Sequence, residues 1–179
     1  MHTFKVTLIL TTLFHLVAEL FAQEPATPVR WTTIEHVNAI MSVQPKKIFI
    51  DVYTDWCGWC KKMDATTFAD STVAGYMNQH FHAVKFNAER KDSVHFVNRL
   101  FINDNPAKNR YPHQLAVALL NGKMSYPSYA FLNEEGKMIT VAPGYMKPDQ
   151  FMLILRYVME EAYLRESWDT FKTKNSIKE

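Results

Sequence analysis

Only two cysteines occur in the 179 residues, at Cys57 and Cys60. That scarcity excludes a multi-disulfide framework, which needs several pairs. It also leaves a structural zinc site short of ligands, since such sites draw on four Cys or His side chains and neither a second CxxC nor an HxxxH occurs. An excess of one charge is lacking too. Lys and Arg number 20 against 18 Asp and Glu, for a formal net charge of +2, and with no basic stripe nothing argues for nucleic acid. A long apolar run is missing as well: the stretch from Val6 to Ala22 is broken by His15 and Glu19, whereas a spanning helix needs about 20 consecutive apolar residues.

A weakly basic start, an apolar centre and the small residue Ala22 give that opening stretch the layout of a secretory signal peptide. Residues 1–22 are therefore expected to be a cleaved signal, the mature chain being exported, periplasmic or secreted, without stable membrane insertion. No cysteine lies near the expected cut, which excludes lipid anchoring there. With 47% apolar and 13% aromatic residues, the remainder has enough apolar side chains for one sizeable core. The expected organisation is a loose leader over residues 23–30, one domain over 31–165 and a C-terminal tail over 166–179 that frays beyond Trp168.

Local patterns order the domain. Ile34, Val37, Ile40 and Met41 recur at helical spacing and predict a helix over 31–41, capped by Thr32 or Thr33. The apolar, β-branched and aromatic run Lys47 to Tyr53 predicts a buried strand containing Asp51. A helix follows, continuing to Phe68, and a second is expected from Ser71 to Gln79 with Ser71 or Asp70 as cap. His82 to Ala88 predicts a second strand, parallel to the first because helices join the two. Glu89 to Asn121 contains a helix or irregular hairpin over 93–101, a turn at Asn103 to Pro106, and a helix over 112–120 with His113 at its start in a capping or surface role. A strand begins at Pro127, since proline cannot donate within a ladder. After the turn at Asn133 to Gly136 comes an antiparallel return strand over 137–142. Pro148 opens a final helix whose stripe of Phe151, Ile154, Leu155, Val158 and Met159 is core.

The cysteines sit where the first buried strand hands over to a helix, Cys57 near the N-cap and Cys60 in the first turn. Unpaired N–H groups and the positive end of the helix dipole favour a thiolate at Cys57. The i, i+3 spacing lets the pair close a disulfide. Lys61 and Lys62 add positive charge while Asp51 and Asp55 oppose it. Redox exchange competes with a fixed structural disulfide, half of a zinc site, or two inert thiols. A ring this small constrains the unfolded chain little, so it makes a poor staple. Redox exchange is the preferred reading.

The segment Ile50-Asp51-Val52-Tyr53-Thr54-Asp55-Trp56-Cys57-Gly58-Trp59-Cys60-Lys61 resembles the active-site segment of the thioredoxin superfamily. The stretch from Thr67 to Glu89 looks like the branch typified by the periplasmic domain of membrane disulfide reductases. The resemblance covers residues 31 to 165 and implies an α/β thioredoxin fold. That fold has a central mixed sheet of four to five strands flanked by helices, with an insertion, about residues 90–121, between the second βα unit and the cis-Pro strand.

It further implies Cys57 as nucleophile, Cys60 as resolving thiol, Asp51 as carrier of the Cys60 proton, and Lys85 as the strand lysine that tunes Asp51. Tyr126-Pro127 matches the family's cis-proline, which presents backbone to a substrate peptide. Trp56, Gly58, Trp59 and Gly144 complete the expected substrate surface. Thioredoxin itself carries proline where this chain has Trp59, the position that tunes redox potential. The implied partners are disulfide-containing proteins or peptides and an upstream thiol-disulfide electron donor, acting on a monomer with no cofactor or metal. Reduction of exported disulfides is favoured over oxidation. The competing class is a thioredoxin-scaffold binding protein whose CxxC holds metal or a partner without turnover.

Overall fold

The computed structural model describes residues 27–175, so the expected signal peptide lies outside the described residues. Five strands form a mixed sheet in the order β1-β3-β2-β6-β7, with β1 (Trp31–Thr32) at one edge. Strand β2 (Lys47–Tyr53) occupies its centre, parallel to β3 (Phe81–Asn87) and antiparallel to β6 (Ser128–Leu132). On the far side of β6, β7 (Met138–Pro143) pairs antiparallel.

Strand β2 is buried on both sides, as a central strand requires, and its alternation divides the core into two layers. Phe49 points into a layer with Met63 of helix α2 (Gly58–Ala65), Val73 and Met77 of α3 (Ser71–His80), and Phe151 and Leu155 of α5 (Pro148–Met159). Ile48, Ile50 and Val52 point the other way. They meet Ile34 and Val37 of α1 (Ile34–Ile40), Val94 and Phe96 of β4 (Val94–Phe96), Phe101 of β5 (Arg99–Phe101), and Leu115 and Leu119 of α4 (Gln114–Leu119).

The structure corrects several local expectations. Trp31–Thr32 is not helical but forms the short edge strand β1, parallel to Ala83 and Val84 of β3. Tertiary packing overrides periodicity there, because the Trp31 ring lies edge-on to Phe68 at 5.0 Å and tilted against Phe49 at 6.2 Å. Thr33 then caps α1, accepting from the His36 N–H at 3.2 Å. Helix α2 stops at Ala65 rather than Phe68. Two β-branched residues follow it, and their hydroxyls take up backbone carbonyls: Thr66 donates to Lys62 and Thr67 to Met146.

In the insertion the hairpin alternative holds. Strands β4 and β5 pair antiparallel around Val97 and Asn98, both with left-handed φ, the geometry of a two-residue hairpin turn. His113 caps α4 and is fully buried rather than at the surface. The frayed tail is also corrected. Trp168–Asn175 forms α6, whose Phe171 is buried against Tyr157 of α5 at 5.2 Å.

Candidate active site

The register of the sheet brings the two sequence-predicted motifs to one end. Val52 pairs with Ser128 in the antiparallel β2-β6 ladder, so Tyr126-Pro127 runs alongside the connection from Tyr53 to Cys57. That X-Pro bond is cis, as expected. The Gly144 N–H donates to the Pro127 carbonyl at 2.8 Å, and its φ of 91° suits glycine alone among ordinary residues. The β7-α5 loop is thereby pinned beside the proline.

Cys57 is the N-cap of α2, and the Cys57–Cys60 pair is disulfide-bonded with Cα atoms 5.3 Å apart. The Cys60 N–H points at Cys57 Sγ from 3.0 Å. This is the donor that a thiolate on Cys57 would use, added to the positive end of the helix. Both cysteines are nearly buried, at 4% exposure, whereas Trp56 and Trp59 stand out at 49% and 58%. Trp56 meets Tyr126 edge-on at 5.9 Å, and Trp59 tilts against Tyr145 at 5.5 Å. Burial pushes the Tyr126 hydroxyl up to about 12. The surface flanking the disulfide is thus aromatic and includes Gly58, whose Cα faces open space.

Behind this surface lies a buried polar row. Lys85, Asp51 and Tyr129 are register partners across β3, β2 and β6, so they share the face of the sheet that also carries Phe49 and α2. Asp51 is 1% exposed, and its Oδ2 lies 3.4 Å from Lys85 Nζ. Burial raises its carboxyl to about 7, opposed by the charge of Lys85 and assisted by that of Asp64. Lys85 is shared, because Asp64 of α2 binds it closely. Its ammonium also lies 5.0 Å from the Trp31 ring and 5.2 Å from the Tyr53 ring. Asp51 Oδ1 and Tyr129 Oη are buried without a hydrogen-bond partner among the described residues.

Every catalytic or substrate-surface residue named from the sequence therefore falls either on the disulfide surface or in the row behind it. Sequence reasoning missed Asp64, Tyr129, Glu89 and Arg110. Asp64 was within reach, lying four residues after Cys60 on the same helix face. Tyr129 also had a signal, as a hydroxyl-bearing residue two positions after Pro127 and on the same face of its strand. Glu89, which accepts from Trp56 Nε1 at 2.9 Å, and Arg110, which stacks on Trp56, are tertiary contacts with no local signature. Among the described residues no group of three or more His, Cys, Asp or Glu side chains is placed to hold a metal ion.

Comparison with known proteins agrees with this fold. Residues 37–159, more than half of the chain, match the thioredoxin-like domain family model. A thiol:disulfide interchange protein, DsbD of Pectobacterium atrosepticum, is 21% identical over 69% of this chain. The match spans only 18% of that relative's length. Among solved structures, a thioredoxin-fold protein from Helicobacter pylori superposes with a TM-score of 0.55 at 21% identity, covering 73% of this chain and 79% of that one. A thioredoxin from Thermus thermophilus gives 0.55 at 13% identity, over 74% and 88%.

Proposed function

The chain belongs to the thioredoxin-like domain family, and we propose that it is an exported thiol-disulfide oxidoreductase that reduces disulfides in protein or peptide substrates. One observation carries the reading. Cys57 sits at the N-cap of α2 with the Cys60 N–H aimed at its sulfur, at the end of the sheet where cis-Pro127 stands. This is an activated thiol beside a strand start that can accept an extended peptide.

In the reduced enzyme the Cys57 thiolate attacks one sulfur of the substrate disulfide, forming a mixed disulfide and releasing the first substrate thiolate. Cys60 gives its proton to Asp51 and attacks Cys57 Sγ, which expels the second substrate thiolate and closes the Cys57–Cys60 bond. Two electrons pass to the substrate. A carboxyl held near 7 by burial is matched to that transfer, because it accepts and returns a proton at neutral pH. Lys85, shared with Asp64, keeps it from rising further. An upstream dithiol restores the reduced form.

Insulin reduction by the full chain, with dithiothreitol as donor, tests the reading. Turnover is expected to vanish in Cys57→Ser, while Cys60→Ser accumulates mixed disulfide with substrate. Wild-type activity surviving in Cys57→Ser refutes it. Direction is read from the reduction potential, expected near the roughly −270 mV of dithiol reductants; a value near about −120 mV makes the protein an oxidant.

A further inference from the structure

The insertion reaches the active site through one side chain. The Arg110 guanidinium lies 4.9 Å from the Trp56 ring. Its loop is pinned from beneath: buried Asn103 donates to the Arg90 carbonyl at 3.0 Å and the Tyr111 carbonyl at 3.1 Å, and the His113 N–H donates to Ala88 at 2.7 Å. Arg110 itself is left-handed, with φ of 56°, a disfavoured conformation for a residue with a side chain that persists only where its surroundings impose it. Across the disulfide, Lys62 Nζ lies 5.6 Å from the Trp59 ring and 5.8 Å from Tyr145. Each exposed tryptophan thus carries a cation.

Those cations are unspent. Arg110, Lys61 and Lys62 form no ion pair among the described residues. Of the neighbouring carboxylates, Asp64, two residues after Lys62, is bound by Lys85, and Glu89 is engaged by Trp56 Nε1, which leaves Asp55 beside Trp56. A guanidinium held over a ring retains N–H donors that can take a carboxylate with two parallel hydrogen bonds.

We propose that this rim selects acidic substrates: polypeptide segments whose cysteines are flanked by Asp or Glu, laid across Trp56 and Trp59 with carboxylates on Arg110 and Lys62. The inference rests on the thiol-disulfide reading for the reaction, but its binding test does not.

Short dye-labelled peptides carry Ser in place of each Cys, so that binding needs no exchange. They differ only in acidic or basic flanks and are titrated with the oxidised full chain by fluorescence anisotropy. The acidic peptide is expected to bind about ten-fold tighter at low salt, the ratio shrinking as salt rises. Combining Arg110→Glu with Lys62→Glu reverses the order. Lys137→Glu, on the turn at the opposite end of β6 and β7, keeps it. Arg110→Asn, which suits the left-handed backbone, removes the charge without strain and is expected to cut the ratio about three-fold. Equal binding of the two peptides, or a preference that survives both Arg110→Asn and the double reversal, overturns the proposal. The disulfide forms of the same peptides separate the two readings: preference without turnover leaves this surface and removes the exchange reaction, and turnover without preference does the reverse.

Discussion

Strand β2 shares one backbone between two chemically unlike faces. Ile48, Ile50 and Val52 pack against α1, the β4-β5 hairpin and α4 through apolar side chains. Phe49, Asp51 and Tyr53 face α2, and there aromatic rings surround a carboxyl that burial holds near 7 and a lysine shared between two acids. The first face stabilises by burial and tolerates exchange among apolar residues of similar volume. The second sacrifices stability to keep a titratable group in a dry place, and it is the one covered by the helix that bears both cysteines. Chemistry and cohesion are thus separated by the period of two along a single strand.

Neighbouring substitutions test that separation most sharply. Ile50→Asn is expected to cost about 5 kcal/mol, from lost burial plus an unsatisfied amide, read as a lower urea midpoint. A cost under about 1 kcal/mol erases the contrast. One residue along, Asp51→Asn has the opposite sign. The folded protein holds the Asp51 proton up to about pH 7 while the unfolded chain releases it near 3.8, so wild-type stability falls as pH rises between those values. The variant is therefore expected to be about 4 kcal/mol more stable at pH 9 and close to wild type near pH 4, by urea denaturation of the oxidised form. A difference independent of pH contradicts the buried carboxyl.

Smaller effects extend the comparison outward. Asn103→Ala removes three partly buried hydrogen bonds that pin the insertion and is expected to cost about 2 kcal/mol, with faster amide exchange at Tyr111 and His113. Unchanged exchange there means that the loop is held by other contacts. Tyr129→Phe deletes a buried hydroxyl without a partner among the described residues and is expected to raise stability by up to about 1 kcal/mol. A loss of stability instead assigns that hydroxyl a partner.

Legibility followed the range of the interactions. Strand β2 was readable to the residue because a run apolar on both faces admits few alternatives, and Cys57 at the N-cap followed from its position between that strand and α2. The C-terminal end of α2, the strand at Trp31 and the helix at Trp168 were not legible. Each depends on partners distant in sequence or on hydroxyls that compete for the backbone. Lys85 was placed beside Asp51 by resemblance, and the ladder register puts it there.

The sequence by itself determined the CxxC at a strand-to-helix junction, the proline that starts a strand, and the apolar run that buries Asp51, all of which are local consequences of residue type and spacing. Only the tertiary structure decided that Tyr129 completes the row behind the disulfide, that Asp64 shares Lys85, and that Arg110 stacks on Trp56. Those contacts join segments tens of residues apart, and no local periodicity encodes which of the chain's many polar groups the packed sheet brings together.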